Sequence, residues 1–322
     1  MMTSARMKRI LVTGSLGQIG LELTPELRKR YGKENVIASD IRSPSKDFFS
    51  SGPFESLDIL KRTELEEVIK VHDIDTVFHL AAILSATGEK NPQHALEVNL
   101  LGVYNVLEVS RKFNLIRVFV PSSIAVFGPE TPKMNAPQDI SLRPRTIYGI
   151  TKVAGELLSN YYYYKFGLDV RGLRWPGIIS ASPPGGGTTD YAIEMFYHAV
   201  EGKRYKCFVR KDTVLPMMYI LDCLKSAIML METDLNKLKH HADFNVAGMS
   251  FSAGELAEEI KKRIPGFEVD YQPDFRQEIA DTWPKSIDDS EARNEWGWSP
   301  SYNLTSMVKD MINKLMRRIT SK

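Results

Sequence analysis

The 322-residue sequence is poor in cysteine, in net charge and in long apolar runs. Two cysteines, Cys207 and Cys223, exclude a disulfide framework, and their spacing matches no metal site. Such sparing use of cysteine fits a reducing compartment. Lys and Arg number 42 against 40 Asp and Glu, a formal charge of only +2. Nucleic-acid affinity rests on a surplus of cations that neutralise phosphates, so nucleic acid is not an expected partner. No apolar run approaches the roughly 18 residues that span a bilayer. The longest, Val77 to Ala86, reads as a buried strand, and no membrane association is expected.

What is present is an ordinary globular composition, 43% apolar and 25% charged. At roughly 100–200 residues per domain, the length suits two domains, or one large core with an appended lobe. The few residues before the first strand are too short for a signal or transit peptide. The expected compartment is the cytoplasm, or the mitochondrial matrix if a presequence has been removed.

Short apolar runs at Lys8 to Thr13 and Asn35 to Ser39 stop at Gly14 and Asp40, as buried parallel strands do. Ile19, Leu23 and Leu27 recur between them at helical spacing, giving a strand-helix-strand unit. Strand signals return at Thr76 to Ala82, Arg117 to Pro121 and Asp169 to Leu173. Amphipathic stretches at Thr63 to Val71, Pro92 to Phe113 and Gly149 to Phe166 separate them. This alternation predicts an α/β fold, a Rossmann-type doubly wound parallel sheet over residues 1–176. Pro183-Pro184-Gly185-Gly186-Gly187 ends the alternation as a loop. A smaller C-terminal α/β substrate lobe is placed at 177–322, with elements of the two parts interleaved.

The turn after the first strand reads Gly14-Ser15-Leu16-Gly17-Gln18-Ile19-Gly20. Its glycines permit a tight turn, close backbone approach to a pyrophosphate and close packing of helix on strand, with the phosphates on the helix N-terminus. Asp40, twenty residues past Gly20 at the end of the second strand, can bind ribose hydroxyls and repel a 2′-phosphate. The expected cofactor is therefore NAD rather than NADP. Arg42 either partners a 2′-phosphate or, the favoured reading, is a solvated loop charge. Asp58-Ile59 either reaches the adenine amino group or caps the helix that follows. Leu80-Ala81-Ala82 either gives the cofactor close passage or reflects packing.

Tyr148 and Lys152 stand four residues apart at a helix start and share a face. Ser122-Ser123 ends the preceding strand, and a parallel sheet gathers strand ends and helix starts around one crevice. Alcohol dehydrogenation needs a base, and a free tyrosine titrates at about 10. A cation about 4 Å away at an effective dielectric of about 20 is worth roughly 4 kcal/mol, about three pKa units. Lys152, with the positive charge of an oxidised nicotinamide added, is thus expected to bring the Tyr148 phenolate near neutrality, with Ser123 holding the reacting oxygen and Lys152 also placed to orient the nicotinamide ribose.

The glycine turn, Asp40, His79-Leu80-Ala81-Ala82, Asn99-Leu100-Leu101-Gly102, Ser122-Ser123-Ile124-Ala125-Val126-Phe127-Gly128 and Tyr148-x-x-x-Lys152 occur in the order of the extended short-chain dehydrogenase/reductase superfamily. The sequence resembles that superfamily over nearly its whole length. The resemblance implies Tyr148 as acid/base, Lys152 as its activator, Ser123 as hydroxyl partner and Asn99 as a helix-bending, water-binding residue. It also implies that Pro176 and Ile178 lie against the nicotinamide, and that the chain is a homodimer through the Asn99 and Lys152 helices.

Most such enzymes act on nucleotide sugars, and those resemble Arg-Asp-Phe-Ile-His-Val-x-Asp near the start of the second lobe. Here the stretch is Leu215-Pro216-Met217-Met218-Tyr219-Ile220-Leu221-Asp222, with Leu215 in place of the diphosphate-gripping Arg. Arg204, Arg210 and Lys211 are the possible substitutes. By contrast, Leu84 to Glu89, Trp175 to Ser180, Gly185 to Ala192 and Ala280 to Pro284 resemble the short-chain-type threonine dehydrogenases. That resemblance implies NAD-linked oxidation of the C3 hydroxyl of L-threonine. A small zwitterion needs several short donors and acceptors and a lid excluding water. Ser85, Ser123, Gly177 and Thr189 are the candidates for its carboxylate and ammonium, with Trp283 closing the pocket. The basic, aromatic run Lys203 to Lys211 reads as an edge strand. Tyr161 to Tyr164 are expected to divide between core and a partner subunit. His240-His241 reads as an exposed turn lacking the carboxylate of a metal site, and no metal is expected.

Overall fold

The computed structural model describes residues 6–320. The short segment read above as no leader falls mostly on residues 1–5, outside the described residues. Five strands, β1 (Ile10–Thr13), β2 (Val36–Asp40), β3 (Phe54–Ser56), β4 (Thr76–His79) and β5 (Arg117–Phe119), join Val170–Arg171 in one sheet. Its order is β3-β2-β1-β4-β5-Val170–Arg171, and all pairs are parallel. Side chains alternate across it: Ile10, Val12, Phe78 and Phe119 enter one core, and Leu11, Ile37, Val77 and Val118 the other. Burial on both faces explains why these strands read as continuous apolar runs. Strand order reverses between β1 and β4, which opens a crevice at the strand C-termini.

The strand expected at Asp169 to Leu173 is two strands. Val170–Arg171 ends at Gly172, and Leu173–Trp175 pairs with Ser122–Ser123 on one side and Phe244–Asn245 on the other. A Cβ at Gly172 would lie 2.4 Å from the Ala242 carbonyl oxygen and 2.5 Å from that of Val120, so only glycine permits this crossing. The helix expected over Pro92 to Phe113 is interrupted: Pro92–Leu96 and Gly102–Lys112 flank a π turn at Glu97–Leu101. Beyond residue 176, Gly177–Ile179 pairs in parallel with Met217–Tyr219, and Val214–Tyr219 also pairs with Met249–Ser252.

In the basic run, Tyr205–Cys207 pairs with Val269–Tyr271, and Arg204 pairs with Glu268 and Asp270. Among the four tyrosines, Tyr162 is buried while Tyr161 and Tyr164 are exposed. The histidine pair departs from expectation. His241 is buried and stacks on Tyr163, ring centroids 3.7 Å apart. His240 Nδ1 lies 2.6 Å from Glu295 Oε1, with Glu291 beside them. The other Glu295 oxygen accepts from the Lys239 and His240 amides, so this carboxylate closes a turn. No helix among the described residues is long and apolar enough to cross a membrane.

Candidate active site

At the end of β1, Gly14 has φ +67°, and a Cβ there would lie 2.5 Å from the Ala81 nitrogen. A Cβ on Gly20 would meet the Gly14 carbonyl at 2.4 Å. The two glycines thus allow the turn, β4 and the helix Gly20–Tyr31 to close on each other. That helix opens at the crevice without a side-chain cap, its Leu21 amide donating to the Gly17 carbonyl and its Glu22 and Leu23 amides to that of Ile19. Asp40 ends β2 buried; its Oδ2 accepts from the Leu16 amide at 3.0 Å. Arg42, expected as a solvated charge, forks onto Asp40 through Nε at 3.0 Å and Nη2 at 3.1 Å. Burial alone would raise the Asp40 carboxyl, but hydrogen bonds from Arg42 and Leu16 hold it below the ordinary carboxylate range.

These elements border a cleft of about 690 Å³. It is lined by every residue proposed from sequence for the cofactor and substrate except Asn99. Asn99 sits buried in the π turn, its amide accepting from the Ile83 N–H at 2.8 Å and donating to the Ile83 carbonyl at 2.9 Å. It braces the segment after Ala82 from behind the wall. Asp58 Oδ1 accepts from the Leu60 amide at 3.0 Å, a local turn two residues before the Arg62–Val71 helix, whose N-cap is Lys61. Gln18 reaches across, Nε2 donating to the Ile178 carbonyl at 3.0 Å and to Ser180 Oγ at 3.1 Å.

Tyr148 and Lys152 sit on the helix Ile147–Phe166, whose start is fixed twice. Thr146 Oγ1 accepts from the Gly149 amide at 3.0 Å, and Glu89 Oε1 from the Ile147 amide at 2.8 Å. Gly149 presses the helix onto the turn after Ser123, since a Cβ would be 2.2 Å from the Ala125 carbonyl oxygen. The Ser123 hydroxyl faces the Tyr148 phenol and favours its ionised form. Lys152 Nζ lies 5.5 Å from the Tyr148 ring centroid and donates to the Pro121 carbonyl at 2.7 Å. Burial pushes the phenol up to about 12, with Ser123 pulling it back in part. The downward shift expected from Lys152 is therefore not realised in the protein alone. Burial dominates the phenol, and the Lys152 ammonium is turned to a backbone carbonyl. Burial also brings Lys152 down to about 8, against an upward pull from Glu156. His79, which the sequence reading left without a role, lies with Nδ1 2.8 Å from Thr13 Oγ1. Burial, then Lys152, lowers it to about 3, so it is neutral.

At the far end, Ser85 Oγ lies 2.9 Å from Thr188 Oγ1 and accepts from the Thr188 amide at 3.0 Å. Thr188, adjacent to Thr189, carried no signal in the sequence. Asp190 Oδ2 accepts from the Gly186 and Gly187 amides at 2.7 and 2.8 Å, ordering the glycine-rich loop. A Cβ on Gly177 would lie 2.5 Å from Met217 Sδ and 2.7 Å from Thr189 Cγ2, so the glycine lets Thr189 reach the cleft wall. Trp283 is buried at the same end, and Lys133 Nζ donates to its carbonyl at 3.1 Å. Leu215 is buried in Val214–Tyr219. Arg204, Arg210 and Lys211 do not line the cleft, and Arg210 is engaged by Asp281 at 2.7 Å.

A switch-point crevice with a glycine turn, a ribose-type carboxylate and a Tyr-Lys-Ser group defines a dinucleotide-dependent α/β enzyme. Residues 10–247 match the NAD dependent epimerase/dehydratase family, and the chain belongs to it. Among its relatives, the mitochondrial L-threonine 3-dehydrogenase of Bos taurus is 49% identical over 97% of this chain and 83% of the bovine protein. An L-threonine dehydrogenase of Cupriavidus necator in its holo form superposes with a TM-score of 0.93. It is 48% identical over 95% of this chain and 99% of that one. A monomeric L-threonine 3-dehydrogenase from a metagenome, in apo form, matches with the same identity and TM-score over 96% and 99%.

Proposed function

We propose that this chain oxidises the C3 hydroxyl of L-threonine with NAD to 2-amino-3-oxobutanoate, a first step in threonine breakdown. The observation that carries the reading is a cleft that joins a dinucleotide cradle to the Tyr148-Ser123-Lys152 group, with none of Arg204, Arg210 and Lys211 in its lining to meet a diphosphate. The named relatives above support the choice of substrate. Gly14, Gly17, Gln18, Ile19 and Gly20 would hold the phosphates, Asp40 the adenosine ribose, and Asp58 and Ile59 the adenine end. Leu80, Ala81, Ala82, Pro176 and Ile178 would line the path to the nicotinamide.

When bound, NAD supplies the hydride acceptor and a positive charge in the cleft. Tyr148 Oη, once that charge together with Lys152 has lowered its proton affinity and its own proton has left, takes the proton of the C3 hydroxyl, and Ser123 Oγ holds the reacting oxygen. Lys152 contributes a fixed positive charge behind the phenol. Ser85, Gly177 and Thr189 would position the carboxylate and ammonium, and Trp283 would exclude water. Asn99 acts at one remove, holding Ile83. On this reading, residues 1–176 serve the cofactor and 177–322 the substrate. The compartment is cytoplasm or mitochondrial matrix.

The purified protein with NAD and L-threonine is expected to give a rise in NADH absorbance. The absence of NADH together with conversion of a UDP-hexose would replace the reading by that of a nucleotide-sugar epimerase or dehydratase. The chain is read as a homodimer because Leu101, Tyr104, Ile150, Leu157, Tyr161 and Tyr164 are exposed along the Asn99 and Lys152 helices. Sedimentation at a single-chain mass of 36.5 kDa would contradict this.

A further inference from the structure

Tyr148, Lys152 and Glu156 are spaced four residues apart on one helix and share a face. Pro121, Ser122 and Ser123 run past that face in consecutive register. The Pro121 carbonyl accepts from Lys152 Nζ at 2.7 Å, and Ser122 Oγ donates to Glu156 Oε1 at 2.5 Å. The Ser123 hydroxyl meets the Tyr148 phenol. Three successive residues of one segment are thus tied to three successive helical turns. Glu156 is the buried end of this ladder. Its two oxygens take Nε and Nη2 of Arg174 at 2.9 Å each, and Arg174 is the strand partner of Ser122. Arg174 is anchored in turn by the Gln138 carbonyl at 2.7 Å.

We propose that Glu156 is a positioning residue for the reaction: by fixing Ser122 and Arg174 against the helix, it sets the register that places Lys152 on Pro121 and Tyr148 on Ser123. Its charge also sustains the Lys152 ammonium. The inference rests on the reading of Tyr148 and Lys152 given above. Loss of the carboxylate at 156 removes the Ser122 tie to the helix and leaves this face to the Pro121–Lys152 bond and the Ser123–Tyr148 contact. The groups facing Lys152 are Tyr148 and Glu156 on its own helix and neutral His79 from β4. Those facing Glu156 are Arg174 and Ser122, with Asp243 further off.

The test compares wild type, Glu156→Gln and Ser122→Ala as full chains, with two readouts. In turnover of L-threonine, Glu156→Gln is expected to lower kcat roughly 10- to 100-fold, the scale of a small misplacement of reacting groups. KM and NADH affinity should change by less than about threefold. Ser122→Ala is expected to lower kcat about fivefold, the worth of one hydrogen bond. The second readout needs no cofactor: the pH dependence of Lys152 acylation, followed by peptide mass mapping. Its midpoint is expected near 8 in wild type and about one pH unit lower in Glu156→Gln. Unchanged kcat in Ser122→Ala, or an unmoved acylation midpoint in a folded Glu156→Gln, overturns the proposal. A wild type inactive on L-threonine whose midpoint still shifts in Glu156→Gln overturns the substrate reading and leaves the positioning role standing.

Discussion

Replacing Asp40 with alanine should turn a cofactor preference around, and the structure sets the size of the effect. Asp40 is buried and ionised, and it takes the Leu16 amide and the Arg42 fork. If Asp40 holds the ribose as proposed, loss of the carboxylate removes a charge-assisted hydrogen bond worth about 1.5–3 kcal/mol. It also removes repulsion of a 2′-phosphate. At about 4 Å, between effective dielectrics of 20 and 80, that repulsion is about 1–4 kcal/mol. Arg42 is freed at the same moment to meet the phosphate. Taking the lower half of each range, the preference for NAD over NADP should shift by about 2.5–4.8 kcal/mol, or roughly 10²- to 3 × 10³-fold. The assay is kcat/KM for both cofactors at saturating L-threonine. Asp40→Asn, which can still accept from Leu16, separates charge from turn geometry. A ratio of the two kcat/KM values unchanged in Asp40→Ala would refute the assignment of this carboxylate to the ribose.

Tyr148→Phe keeps the ring and removes the acid/base, so kcat should fall by roughly 10²–10⁴-fold while NADH titration gives nearly wild-type affinity; retained turnover would exclude the phenol as base. Gly14→Ala places a side chain at φ +67° against Ala81. Its melting temperature should drop, and the further rise on adding NAD should shrink. Lys152 has its pKa lowered to about 8 from 10.5, so between those values the folded chain has released a proton that the unfolded chain retains. Its burial penalty is therefore complete below pH 8 and relieved as pH rises toward 10.5. The stability gained by Lys152→Met, measured by urea unfolding, should be largest below pH 8 and shrink across that window. Leu157→Glu on the exposed face of the Lys152 helix should yield single chains by sedimentation.

Much of the cofactor end was legible because its signals are local. An apolar run stopped by Gly14 and an acid at the end of β2 need no knowledge of the rest of the chain. The same holds for Tyr148 and Lys152 on one helical face. What was not legible depends on pairs remote in sequence. Gln18 meets Ile178 and Ser180, and Ser85 meets Thr188, across more than a hundred residues. The break at Gly172 is set by the Val120 and Ala242 carbonyls rather than by its neighbours in sequence. The Arg42 fork was missed although it spans two residues, because a loop charge beside an acid has solvated geometries open to it. The burial that raises the Tyr148 phenol was not legible because the sequence gives the spacing of two charges and not how far each is removed from water.

The pairing of Leu173–Trp175 between Ser122–Ser123 and Phe244–Asn245 has a consequence for the chain as it is synthesised. A polypeptide grown to residue 176 already has every strand of the six-stranded sheet. It still presents one open edge at the strand that carries Arg174, the partner of Glu156. That edge closes only after some seventy further residues have been added. One support of the proposed reaction centre is thus supplied late in translation, by a strand to which the proposed chemistry assigns no role.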